Sequence, residues 1–119
     1  MKIQSHKDLI VWKKSMQLVK EIYEMTDKFP KDEMFGLNSQ LRRAAVSIPS
    51  NIAEGYLRKH RKEYLQFLSI ALGSSAEIET QILICKSLNK FRALDFTSIE
   101  KLNTEVIKML FVMIEKLNI

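Results

Sequence analysis

Apolar positions along this 119-residue chain recur at intervals of three and four, the period of a helix buried on one side. Leu9, Trp12, Met16, Val19 and Tyr23 form one stripe, and Val11, Leu18, Ile22, Met25 and Phe29 form an adjacent one. They predict a first helix from about Asp8 to about Lys28, with Ser5 as its N-cap. Pro30 ends it, because the residue before a proline is pushed out of helical geometry. A second pattern starts near Asp32. Leu37, Leu41, Ala44, Ile48 and Ile52 fall within a narrow arc, with Arg43, Ser47, Ser50 and Glu54 on the opposite side. Pro49 lies inside that pattern. It offers no N–H to the carbonyl of Ala45 and its ring crowds that carbonyl, so a kink or short break is expected over residues 45–49. The stripe resumes in phase at Ile52, and Gly55, which takes the left-handed conformation most easily, is expected to end the helix.

A third helix is predicted from near Arg61 to about Asn89, lined on one side by Tyr64, Phe67, Leu68, Ala71, Ser75, Ile78, Ile82 and Cys85. Its middle, ALGSSAE (Ala71 to Glu77), is small enough for another helix to approach closely. Gly73 costs about 1 kcal/mol there relative to alanine. The fourth helix is expected to open with a capping box, Thr97 to Glu100, and to continue through Leu102, Val106, Leu110, Met113 and Leu117. These elements predict an all-α fold: one domain spanning residues 1–119, an antiparallel up-down-up-down four-helix bundle with its second helix kinked near Pro49.

Composition narrows the class. Three glycines and two prolines leave little material for the turns of an all-β fold. The lone Cys85 has no partner for an intramolecular disulfide, which suits a reducing cytoplasm. The apolar run from Leu9 to Trp12 is too short for a signal-peptide core, and no stretch reads as a membrane span, so a cytoplasmic protein without membrane contact is expected. Met109 to Ile114 are six consecutive apolar residues. They go right round a helix, more than a monomeric bundle buries. Self-association is the expected remedy; cover by the stems of long charged neighbours is the alternative.

Charge adds one location. The formal net charge is +5, of which residues 58–64 supply +3 while residues 65–119 balance to zero. Arg58, Lys59, Arg61 and Lys62 stand where the third helix begins, beside N–H groups and a partial positive charge that already favour anions. Two readings stand side by side: a phosphate-binding surface and a solvated turn. Arg42 and Arg43 are read as polar struts within or between subunits. Arg43 is expected to reach Glu54, and Arg42 a carboxylate such as Glu77 or Glu79. Asn51 is expected to satisfy backbone freed by Pro49, and Trp12 and Tyr64 to be core anchors.

Catalytic constellations are missing from the sequence. His6 and His60 are the only histidines; there is no Cys/His metal spacing, no phosphate-cradling glycine loop and no Glu-x-x-His pair. Neither histidine completes the arginine–histidine motif of bundle-type ribonucleases. Cys85, on the apolar face, reads as a small core residue. No enzyme activity, cofactor, metal or small-molecule substrate is expected.

The stretches QLRRAAVSIPSNIAEG (Gln40 to Gly55) and KEYLQFLSIALGSSAEIETQI (Lys62 to Ile82) closely resemble the four-helix-bundle family of bacterial 23S ribosomal RNA intervening-sequence proteins. The N-terminal segment from His6 to Gln40 is similar to that family's opening helix. Arg42, Arg43, Ser47, Pro49, Asn51, Glu54 and Gly55 match its signature, as do Gly73, Ser74 and Glu77. The resemblance implies roles for them in fold and assembly, and implies a ring, commonly a homopentamer. It also implies kinship with accessory proteins of diversity-generating retroelements, whose basic surface engages nucleic acid and a reverse transcriptase. One position departs: His60 stands where the family usually has a capping serine or threonine, so the third helix is expected to start weakly there. The function expected is an oligomer binding RNA or DNA without base specificity, or a scaffold for a protein partner such as a reverse transcriptase.

Overall fold

The computed structural model describes residues 5–118, and among these no strand is present. Four helices follow in order: α1 (Ile10–Thr26), α2 (Leu37–Arg58), α3 (Arg61–Ser87) and α4 (Thr97–Leu117). α1 packs on α2 and α4, and α3 packs on α2 and α4, which makes a four-membered bundle 45 × 23 × 23 Å across its Cα atoms. Contacts join the start of one helix to the end of its neighbour: Arg42 to Asp27, Lys86 to Glu100, and Ser98 to Glu21. The core runs the length of the bundle through Leu18, Ile22, Leu41, Ile48, Ile52, Leu68, Ile78, Ile82, Val106 and Leu110.

Of the two stripes predicted in α1, the one through Val11, Leu18, Ile22 and Phe29 is buried, while Met16 and Tyr23 of the other are exposed. The stripes of the other helices become their buried faces, and several ends move. Ser5 caps a separate 3-10 turn, His6–Asp8, and the Asp8 carboxylate accepts the Ser5 N–H in return at 3.2 Å. α1 proper begins at Ile10. Lys31–Glu33 is another 3-10 turn, so α2 begins at Leu37 rather than at Asp32. The Thr97–Glu100 capping box is not formed. Thr97 is the first helical residue, and Asp95 accepts both its N–H (3.0 Å) and its hydroxyl (2.6 Å). These bonds hold the Asp95 carboxyl below the usual carboxylate range. α3 starts at Arg61, and His60 supplies no side-chain cap, as its identity predicts.

α2 runs unbroken across Pro49, which is itself buried, so the expected break is not there. Asn51 donates to the carbonyl of Ser47 (2.7 Å) and to its hydroxyl (3.0 Å), not to the carbonyl of Ala45 that Pro49 releases. Ser47 lies in the α2–α3 seam rather than on the solvent side, and accepts a hydrogen bond from the Ser74 hydroxyl at 2.9 Å. α3 also contains a window long and apolar enough to cross a membrane, contrary to the sequence reading. Leu68, Ala71, Ile78, Ile82 and Cys85 within α3 are spent on the bundle core.

Gly55 does not terminate α2, which continues for three further residues to Arg58. Its requirement is space. A Cβ built there stands 2.7 Å from the Phe67 Cβ and 3.1 Å from the Tyr64 ring on α3. Gly73, by contrast, faces outward with nothing within 4 Å of a built Cβ, so it brings no helix of this protomer closer. Ser74 and Ser75 fill that role instead: Ser74 meets Ser47, and the Ser75 carbonyl accepts from Asn103 of α4 at 3.0 Å.

Arg42 is a strut, but to α1 and not to Glu77 or Glu79. Its Nε donates to the Thr26 hydroxyl (2.8 Å), and its Nη2 to Asp27 (2.8 Å) and to the Tyr23 carbonyl (3.3 Å). The guanidinium also lies 4.4 Å from the centre of the Tyr23 ring. Asn38 donates to the Thr26 carbonyl at 2.9 Å. Together these α2 side chains add second hydrogen bonds to the Tyr23 and Thr26 carbonyls, which already accept from the Asp27 and Phe29 N–H groups, and place a cation at the negative pole of α1. Glu77 is exposed on α3 and accepts a hydrogen bond from Gln81 at 3.3 Å.

Two outcomes are expected in urea denaturation of single variants. Gly55→Ala loses about 1–2 kcal/mol, because the clash with Phe67 outweighs alanine's helix preference, whereas Gly73→Ala gains up to about 1 kcal/mol. Equal effects at the two glycines would contradict the close approach at Gly55. Arg42→Lys loses about 1–2 kcal/mol, since an ammonium does not reproduce the planar fork that serves three acceptors at once.

Candidate nucleic-acid interface

The connection between α2 and α3 is two residues, Lys59 and His60. So short a link forces a sharp reversal. Lys59 makes it in the left-handed conformation, with φ 58°, the only non-glycine residue described with positive φ. Lys59 therefore occupies the position that the sequence assigned to Gly55. The left-handed form is unfavourable for a side chain with a Cβ, by about 1 kcal/mol.

The turn brings Arg58, Lys59, His60, Arg61 and Lys62 together, all exposed. They are not equivalent. Arg58 is held by the protein: it donates to Glu54 at 2.9 Å and to Glu63 at 3.4 Å, and its guanidinium stands 5.2 Å from the Phe67 ring centre. Its pairing with Glu54, seconded by Glu63, raises its pKa further above the usual arginine value. The Glu54 partner is thus Arg58, one turn on, and not Arg43, which is exposed and makes no ion pair among the described residues. Arg61 donates from Nε to the Leu117 carbonyl at the end of α4, tying the turn to the last helix. Lys59 and Lys62 make no ion pair among the described residues and project from the turn.

The basic turn belongs to a larger asymmetry that linear sequence hides. Residues 5–17, 51–72 and 105–118 form one half of the bundle and carry nine Lys/Arg against five Asp/Glu. The other half, residues 18–50 and 73–104, carries nine of each. Within the first half Glu54 and Glu63 serve Arg58, Glu105 pairs with Lys14 at 2.7 Å, and Asp8 serves the Ser5 turn. Lys7, Lys13, Lys108 and Lys116, which the sequence reading did not single out, are exposed in this same half.

Several anchors stand as core rather than site. Tyr64 is half-buried, edge-on to Tyr56 at 6.1 Å, and Trp12 is half-buried, edge-on to His6 at 5.3 Å. Cys85 is fully buried, and burial pushes its thiol up to about 11, unsuited to nucleophilic work near neutral pH. No cluster of three or more His, Cys, Asp or Glu side chains suited to a metal is present among the described residues. At the opposite end, Phe29, Phe91 and Phe96 stack edge-to-face, with ring centres 4.8 and 6.3 Å apart, beneath a Lys90 clamp on Asp32 and Glu33. Hydrogen bonding to Lys90 lowers both carboxyl pKa values.

Because Lys59 alone carries the left-handed strain, Lys59→Gly is expected to raise stability by about 1 kcal/mol in urea denaturation, with the helical circular-dichroism signal unchanged. A loss of stability would contradict the two-residue turn.

No curated protein matches the chain. The family model described as "23S rRNA-intervening sequence protein" matches residues 7–112. That span includes all of α1, α2 and α3, the basic turn and most of α4. This chain belongs to the 23S rRNA-intervening sequence protein family.

Proposed function

We propose that this chain is a non-enzymatic, self-associating bundle that holds RNA or DNA by its phosphates through the basic half, without reading bases. The observation that carries the reading is the charge asymmetry: equal numbers of cations in the two halves, but about half as many carboxylates around the α2–α3 turn. Lys59 and Lys62 are the contacts of choice, because neither is engaged by a carboxylate among the described residues. Arg58 and Arg61 have structural work in the same turn and shape it. The potential of such a patch attracts any polyanion, and contacts to phosphates position a duplex without specifying sequence.

Self-association is supported by the apolar surface the bundle leaves out. Leu57, Ile70, Phe111 and Val112 are exposed, two of them from the apolar run in α4. Copies related by symmetry repeat the basic patch, and weak phosphate contacts then add by multivalency. A homopentameric ring of cytoplasmic protein is the assembly proposed. A second reading, a scaffold for a protein partner, is favoured by the tip between α1 and α2. Phe35 there is 92% exposed with Met34 beside it, an apolar knob suited to a protein pocket and not to phosphates.

Fluorescence anisotropy with structured RNA and duplex DNA is the test, run from low to moderate salt. The expected result is roughly micromolar binding at low salt, with a log–log salt slope that falls by about two in the Lys59→Asn/Lys62→Gln variant. Absence of binding at low salt overturns the nucleic-acid reading and leaves the scaffold. Light scattering on the same sample is expected to give a multiple of the 13.9 kDa chain mass; a monomer at micromolar concentration overturns the assembly.

A further inference from the structure

On the side of the bundle away from the α2–α3 seam, α1 and α4 part to leave an open groove of about 800 Å³. These two helices are the least closely packed of the four adjacent pairs. Ile10, Met109 and Val112 give the groove an apolar floor, and Ile10 and Val112 are 63% and 52% exposed. Lys13, Lys108 and Lys116 stand in its lining, and none of them makes an ion pair among the described residues. The one acid of the lining, Asp8, already serves the Ser5 turn. Such a groove calls for an occupant that is apolar and acidic together. A bare polyanion leaves the floor in water, and the groove is too open to enclose a small molecule. The identical groove of a second copy is excluded, because a two-fold contact sets lysine against lysine.

The chain itself carries a surface of that chemistry on α3. From Glu63 to Cys85 this helix holds Glu63, Glu77 and Glu79 and no lysine or arginine, the longest stretch without a cation in the sequence. Of its apolar window only 39% is buried. Ile70, Gly73, Glu77 and Ile84 share one outward face at helical spacing, with the two isoleucines 46% and 44% exposed. Glu77 meets only the Gln81 amide, at 3.3 Å. A Cβ at Gly73 touches nothing in its own protomer, so the glycine weakens α3 for no reason inside the bundle, while its bareness admits a neighbouring helix. The nearest rival, Ala44 to Leu57 on α2, exposes Val46 and Leu57, but its one acid, Glu54, is taken by Arg58. Lengths agree as well. Ile70 to Glu77 spans about 10 Å of helix and Lys108 to Lys116 about 12 Å.

We infer that the α3 face around Gly73 and Glu77 of one copy seats in the α1–α4 groove of the next, with Glu77 among the groove lysines and Ile70 on the apolar floor. The inference rests on the self-association proposed above and names its two surfaces. α3 does not pack on α1, and Glu77 lies beside Gln81, whose amide reaches Gln40 on α2, so ridge and groove are on opposite sides of the bundle. The contact is therefore head-to-tail and repeats from copy to copy, as a ring requires. It engages Lys13, Lys108 and Lys116 and leaves Lys59 and Lys62 for phosphate.

The experiment is light scattering on the full chain over a dilution series, with circular dichroism as the check on folding. Wild type is compared with Glu77→Lys, with Gly73→Trp, with Lys13→Glu/Lys108→Glu, and with the charge swap that combines Glu77→Lys and Lys13→Glu/Lys108→Glu. All four positions are exposed, so native helical spectra are expected throughout. The first three variants are expected to dissociate at concentrations at least about tenfold higher than wild type, and the swap to recover most of that loss. If wild type assembles and Glu77→Lys and Gly73→Trp assemble equally well, this contact is overturned while self-association stands. Loss in the groove variant alone also overturns it and gives the groove to another face of the chain. Full assembly of the groove variant overturns it and leaves the groove to a different partner, and a swap that recovers nothing overturns the pairing of Glu77 with the lysines. A monomeric wild type overturns self-association itself, and this contact with it.

Discussion

The close approach of α2 and α3 is the constraint on which the rest of this bundle depends. At Gly55 there is no room for a Cβ against Phe67, and at mid-length a serine pair, Ser47 and Ser74, replaces larger side chains. Two helices pressed together this tightly need only a short link. The chain uses two residues, and the reversal falls on Lys59 in a left-handed conformation. Packing in the seam thus dictates the shape of the turn, and the turn dictates where the cations stand. Arg58 and Arg61 then fasten it, one to Glu54 and Glu63, the other to the end of α4.

The opposite end is closed by different means. There the connections are longer and contain 3-10 turns, and aromatic packing and the Lys90 clamp are added to the side-chain contacts between helix ends. Arg42 and Asn38 reach from α2 to the Tyr23 and Thr26 carbonyls of α1, adding to the backbone bonds that already close that helix end. Cations at this end meet carboxylates in equal number, and its surface is electrically balanced. The two ends of one bundle differ in net charge through the placement of acids alone.

The fold was legible because helical periodicity is a long, redundant signal: each stripe rests on five or more apolar positions, and the errors in helix extent lie at termini and at the break expected at Pro49. Gly55 was misread for a physical reason. A glycine serves equally well where φ is positive and where a neighbour leaves no space for Cβ, and local sequence does not distinguish the two. Lys59 was invisible as a left-handed residue, since lysine gives no such signal. Thr97–Glu100 has the spelling of a capping box, but Asp95 lies two residues earlier and accepts from Thr97 itself. Arg42 was correctly read as a strut, yet its partner is Asp27, fifteen residues away. Only the pairing of helices decides which carboxylate a long side chain meets. The cluster of cations at residues 58–62 was plain in the sequence. Its division into two engaged arginines and two projecting lysines was not.

That division bears on why the basic turn exists. Cations in the first turn of a helix oppose its dipole, so Arg61 and Lys62 weaken the start of α3, and His60 does not cap it. Fold stability alone favours acids there, and only Glu63 is supplied, already shared with Arg58. A turn whose purpose was simply to link two helices gains nothing from a strained lysine, two cations at a positive pole and a missing cap. The same features suit an anion approaching the N–H groups at the head of α3, which relieves the repulsion as it binds. Phosphate binding of the kind proposed would draw on that unfavourable electrostatics, and the seam at Gly55 is what fixes the turn that carries it.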